Sequence, residues 1–235
     1  MSNYNHKFLD KTYQFGPFIY HCQLDPEFIK EFLRQGELAT GEIVHEDGSK
    51  TSQIFDDGTA SSLVKGHERQ FTPSQQRWFN KSLKDVFHHY TQMRFNFHSV
   101  DFKPDYVIEN VWINYQHANE YQPDHIHSGD FSWVIYCEIP EGLEEERNTT
   151  KKKGPQPGSI SFGYGEFASN PEKNFMWSNV RHSIIPNPGD MIIFPAQMRH
   201  FVPPFKCDGI RISGSGNGVF YMPDQKLYHM GDKRY

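Results

Sequence analysis

Along this 235-residue chain the apolar residues fall first at helical and then at strand spacing. A short strand-like run, "FGPFIYHCQL", comes first. "DPEFIKEFLRQGE" then opens on an Asp-Pro cap and places Phe28, Ile29, Phe32 and Leu33 at helical spacing. Gly36 to Gln70 is polar and glycine-rich and predicts loop. "TPSQQRWFNKSLKDVFHHYTQMR" predicts one second helix, capped by Thr72 with Pro73 at its first position. Trp78, Phe79, Leu83, Val86, Phe87 and Tyr90 form its apolar face. His88 and His89 are adjacent on this helix, cannot both aim at one metal, and are read as structural or surface residues.

From about residue 105 the pattern shortens to β-rich runs divided by turn residues: "YVIENVWINYQH", "FSWVIYCEIP", "SISFGYG", "HSIIPN", "DMIIFPA" and "GIRISGSGNGVFY". This predicts a sheet sandwich or barrel with two helices packed on it, an α+β chain that is mainly β, in one domain over 1–235. "EGLEEERNTTKKKGPQPG" reads as a long charged loop that, with Gly36 to Gln70, could border a site.

Composition sharpens this picture. Aromatic residues make up 15% of the chain, with 20 Phe and 12 Tyr, which suits pleated sheets. Mean hydropathy is −0.73, and no apolar run approaches the roughly 20 residues of a membrane helix. The opening "MSNYNHKFLDKTYQFG" has no apolar core, so no secretory signal is expected. Cys22, Cys137 and Cys207 are far apart and odd in number, which argues against a disulfide framework and for a cytoplasmic setting. The net charge of −5 argues against nucleic acid, and Lys151-Lys152-Lys153 reads as part of a solvated loop.

Three stretches could carry chemistry. In "PDHIHSGDF", His125 and His127 would point to one side of an extended segment, and imidazole suits Fe, Zn, Cu and Ni; alone, the motif reads better as a polar turn, because two histidines are not a site. His200 follows the buried strand of "NPGDMIIFPAQMRHFVPPF" in what reads as a loop. In "GIRISGSGNG", Arg211, Ser213, Ser215 and Asn217 share one strand face, either solvated or lining a polar cavity where Arg211 could grip a carboxylate through paired hydrogen bonds.

Taken in order, His-x-His, then "PGDMIIFPA" with a later histidine, then Arg-x-Ser, the chain resembles the Fe(II)- and 2-oxoglutarate-dependent oxygenases. "ENVWINYQHANEYQPDHIHSGDFSWVIYCEIP" is similar to a phage and bacterial branch of that superfamily. The resemblance covers roughly 105 to 220 and implies a double-stranded β-helix (jelly-roll) core over 101–222, a helical part over 1–100 and a tail over 223–235. It implies His125 and His200 as metal ligands, Arg211 and Ser213 as the grip on 2-oxoglutarate, and Asn114 as a further contact to it, with Trp112, Asn114 and Gln116 on one strand face. His127 stands where the superfamily has a carboxylate. Three histidines could hold the metal; His127 could be the first ligand, leaving Gly129 at the carboxylate position; or Asp130 could loop back to complete the set. The preferred set is His125, His127 and His200, with Asp124 or Asp130, if close, expected to compensate its charge.

The implied activity is a dioxygenase that takes 2-oxoglutarate and O2, hydroxylates an unidentified substrate and releases succinate and CO2. The alternatives are a cupin-like metalloprotein that does not use 2-oxoglutarate and a non-catalytic jelly-roll binding module. A homo-oligomer is left open.

Overall fold

The structure is a computed structural model and describes residues 5–12, 16–55, 63–64, 66–97, 104–150, 154–164 and 181–222. The predicted tail over 223–235 lies outside the described residues, as does Lys151-Lys152-Lys153.

Two sheets form the β core. The larger is seven-stranded, in the order β1 (Lys7–Thr12), β2 (Tyr20–Gln23), β11 (Asp190–Pro195), β8 (Phe131–Glu138), β13 (Ile210–Tyr221), β6 (Asp105–His117), β5 (Glu68–Gln70). The smaller is four-stranded, in the order β10 (Arg181–Ile184), β9 (Ile160–Gly163), β12 (Arg199–Val202), β7 (Gln122–His125). All named pairings are antiparallel. The six β-rich runs of the sequence correspond to β6, β8, β9, β10, β11 and β13.

Helices cover one side of the larger sheet. The first, α1 (Pro26–Leu38), starts where Asp25 accepts a hydrogen bond from Glu27 N at 2.8 Å and buries Phe28, Ile29 and Phe32. The second predicted helix is in fact two. Leu83 leaves helical geometry (φ −105°, ψ 12°) and divides α2 (Pro73–Ser82) from α3 (Lys84–Phe97). Both halves keep the predicted apolar face inward, so the break does not interrupt burial: Phe79, Leu83, Val86, Phe87 and Tyr90 are all buried. His88 is exposed, and His89 lies edge-on to Tyr20 at 5.8 Å.

Two predicted loops contain structure. Gly36 to Gln70 holds the hairpin β3 (Glu42–Val44) and β4 (Lys50–Ser52), and then β5, which pairs with β6. The charged loop contains α4 (Leu143–Thr149), anchored where Glu146 accepts from the backbone of Lys206 and Cys207 at 2.8 and 2.9 Å.

The larger sheet has two different faces. Toward the helices, Trp133, Ile135, Ile113, Val111 and Ile212 join the helix residues in one apolar cluster. Between the sheets, Val134, Tyr136, Ile160, Phe162, Ile192 and Phe194 form a second, smaller one. Strand β13 divides along the same line. On its helix side, Gly214 and Gly216 leave room for the rings of Phe32 and Trp133, which any Cβ there would strike. Its other side carries Arg211, Ser213, Ser215 and Asn217 toward the smaller sheet.

Candidate metal and co-substrate site

The smaller sheet positions the histidines. His125 ends β7 and His200 lies on β12, directly opposite it in register, so "RHFV" forms a strand where the sequence suggested a loop. His127 lies just past β7. Its backbone N donates to Ala196 O at 2.9 Å, and its own carbonyl accepts from Gln197 Nε2 at 3.1 Å. The three rings converge, with ligand atoms within 4.8 Å of one another and centroids 4.3 to 5.0 Å apart.

Hydrogen bonds define which ring nitrogens are free. Nδ1 of His125 contacts Pro123 O at 2.6 Å, and Nδ1 of His200 contacts Met198 O at 2.9 Å. A carbonyl only accepts, so each Nδ1 carries its proton and, in the neutral ring, Nε2 keeps its lone pair for a metal. Burial, and then the neighbouring His125, lower His127 to about 4. Burial and the two other rings hold His200 well below its usual value. These rings are therefore neutral at pH 7, the form that binds metal. The three imidazoles could hold a metal ion, and imidazole suits Fe, Zn, Cu and Ni.

The acidic candidates point elsewhere. Asp130 follows a turn at Gly129 (φ 88°), and its carboxylate accepts from Phe220 N at 2.7 Å. Asp124 pairs with Arg199 at 2.8 Å on the surface, so the expected compensation of the histidine set by either residue is not what their contacts show. Both carboxylates serve the backbone or a neighbouring strand.

Arg211 lies deep in the same cavity, which measures about 300 Å³ and is also lined by His125, His127, His200, Ser213 and Asn114. It is 2% exposed. Its Nη1 donates to Gln116 Oε1 at 3.0 Å and, more weakly, to Ser213 Oγ at 3.4 Å, while its Nε has no acceptor. The guanidinium sits 4.8 Å from the Tyr136 ring centroid, and burial pushes that phenol up to about 12. Among the described residues no carboxylate forms an ion pair with Arg211. A buried guanidinium with an unmet donor is costly unless an anion meets it. The face of Arg211, Ser213 and Asn217 is therefore a cavity wall, and the solvated alternative is excluded by its burial.

Asn114 is on that wall. With its amide oriented to satisfy both neighbours, its nitrogen donates to Glu68 Oε2 and its oxygen accepts from Trp112 Nε1, each at 3.3 Å. Among the cavity residues that sequence reasoning missed are Tyr136 and Glu68. Tyr136 looked like one more aromatic in an apolar strand. Glu68 lay in a predicted loop, and only its pairing with β6 brings it inside. Of the two loops expected to border a site, Gly36 to Gln70 contributes Phe55 and Glu68, whereas no described residue of Glu141 to Gly158 lines this cavity.

Residues 110–217 match the model of a family described as "Putative 2OG-Fe(II) oxygenase". That segment is a 2OG-Fe(II) oxygenase domain. With it comes dioxygenase-type function, with iron and 2-oxoglutarate as cofactors. Solved structures share the fold. A prolyl-4-hydroxylase from Pseudomonas putida aligns with a TM-score of 0.50 at 13% identity, covering 88% of this chain and 94% of that one. AviO1 from Streptomyces viridochromogenes aligns at 0.51 and 11% identity, covering 89% and 92%. SnoN, an α-ketoglutarate-dependent epimerase of nogalamycin biosynthesis, aligns at 0.51 and 11% identity, covering 87% and 78%. No curated protein matches the chain in sequence. No helix among the described residues is long and apolar enough to cross a membrane.

Proposed function

We propose that His125, His127 and His200 hold the iron, and that Arg211, with Ser213, binds the far carboxylate of 2-oxoglutarate while Asn114 borders it. The observation that carries this reading is the buried Arg211 guanidinium, unpaired with any carboxylate among the described residues, in the cavity onto which the three imidazoles converge. Iron and 2-oxoglutarate with O2 would supply the oxidising chemistry, ending in a hydroxylated substrate, succinate and CO2. The chain's part is orientation. Pro123 and Met198 carbonyls fix two imidazoles, Gln116 aims the guanidinium, and the inter-sheet apolar cluster borders the cavity. The cysteines are all free, which supports a reducing, cytoplasmic setting.

The test is an anaerobic visible spectrum with Fe(II), before and after 2-oxoglutarate. The reading predicts a weak charge-transfer band that needs both and weakens in Arg211→Ala. His125→Ala, His127→Ala and His200→Ala should each lose iron, while Asp130→Ala keeps it. Iron lost only in Asp130→Ala would refute the ligand choice. A protein that holds iron but forms no band would be the cupin-like alternative, and one that holds no iron a binding module.

A further inference from the structure

The cavity contains a second ionisable group that iron and 2-oxoglutarate leave unused. Glu68 is 9% exposed and faces Asn114 across the β5–β6 pairing. Its carboxylate meets the Asn114 amide and enters no ion pair among the described residues. The basic residues beside it in sequence are engaged elsewhere. Arg69 lies over the Tyr115 ring at 4.6 Å and donates to Gly66 O at 3.1 Å. His67 contacts Glu120 at 2.8 Å and stacks on His117 at 4.1 Å. An isolated buried carboxylate is costly, and burial raises this one to about 7, so it is poised to ionise when a cation arrives.

Two aromatic rings share the wall. Phe55 is held by its backbone N on Glu68 O at 3.1 Å, and Trp112 lies two residues from Asn114 with its ring 5.8 Å from that of His127. Strand rise and spacing put the Glu68 and Trp112 backbones about 8 Å apart. A small molecule or one long side chain spans the distance from Glu68 past Trp112 toward the histidines. A carboxylate flanked by aromatic faces recognises a cationic nitrogen.

We propose that Glu68 is the specificity-determining residue for the primary substrate, and that this substrate carries a cationic nitrogen held between the Glu68 carboxylate and the Trp112 and Phe55 rings. The substrate class deepens the oxygenase reading and rests on it. The nitrogen belongs either to a small free amine or to a basic side chain of a peptide, and the probes below separate the two.

The experiment follows the carboxyl carbons of 13C-glutamate-labelled protein, without iron, by NMR. n-Butylamine, free lysine and a short peptide with one lysine are added in turn, with butanol and pentanoate as controls. One or more of the nitrogen probes should move the Glu68 resonance saturably and lower its titration midpoint, and the controls should not. Lysine or butylamine alone would mark a free amine, and the peptide alone a side chain. Glu68→Gln keeps the volume and should bind the active probe at least about tenfold more weakly by calorimetry. In the iron-loaded protein the same probe should raise succinate release, and Glu68→Gln should lose the rise while keeping the spectral band. A wild-type resonance that no amine moves, or equal binding by Glu68→Gln, overturns the proposal. Amine binding at Glu68 in a protein that forms no band leaves the cation site standing and overturns the oxygenase reading beneath it.

Discussion

The two faces of β13 are made from the same twelve residues and do opposite work. On the helix side, Gly214 and Gly216 contribute nothing but space, and the aromatic rings of α1 and β8 fill it. On the cavity side, Arg211, Ser213 and Asn217 are buried although they are polar, and the Arg211 Nε finds no acceptor. One face has its partners within the chain. The other leaves the Arg211 Nε without an acceptor. A change on the first should cost stability, and a change on the second should cost binding.

The largest expected effect tests the cavity face. Arg211→Met should weaken 2-oxoglutarate binding by about a hundredfold or more, as removal of one partner of a buried charged pair does. Without ligand, the same variant should be as stable as the wild type or more so, because it removes an unpaired buried charge. Calorimetry and thermal unfolding check the two halves separately.

The helix face should behave in reverse. Gly214→Val drives its side chain into Phe32 and should cost about 3 kcal/mol of stability, read by urea unfolding, with 2-oxoglutarate affinity in the folded fraction unchanged. Parallel losses in both quantities would dissolve the distinction between the faces.

Glu68 sharpens the comparison by pH. Burial raises its carboxyl in the fold to about 7 from its ordinary 4.5, so the folded state holds a proton that the unfolded state releases between those values. The stabilisation is full below about pH 4.5 and is lost as pH rises toward 7. Glu68→Gln should therefore match the wild type at low pH and exceed it by about 3 kcal/mol near pH 8. Unfolding curves across that range check it.

The smallest effect lies outside both faces. Asp124 and Arg199 are about half exposed, and Asp124→Asn should change stability by less than about 1 kcal/mol and leave iron binding intact. A large loss of iron would show that this pair fixes the strand carrying His200.

Legibility in the sequence followed the length of each pattern. The Arg-Ser-Ser-Asn face was readable because a twelve-residue strand repeats its period several times. Its intervening glycines could be seen, but the rings that require them come from distant segments. His125 and His200 were readable as residues, while their register was not, because β7 and β12 have four residues each and no alternation to detect. Glu68 was missed for the same reason: a three-residue edge strand carries no period, and only β6 pulls it inside. The break at Leu83 escaped notice because the apolar spacing runs through it without Gly or Pro. The preference for His127 over Asp130 rested on extended-chain geometry; in the structure, the turn at Gly129 sends Asp130 to the backbone of Phe220.

The most direct test is the thermal unfolding midpoint of the Fe(II)-loaded protein, taken anaerobically against rising 2-oxoglutarate, for wild type and Arg211→Met side by side. The account predicts a wild-type midpoint that climbs with 2-oxoglutarate, and a variant that starts as high or higher and stays flat. A wild-type midpoint indifferent to 2-oxoglutarate, or a variant that climbs as steeply, would contradict it.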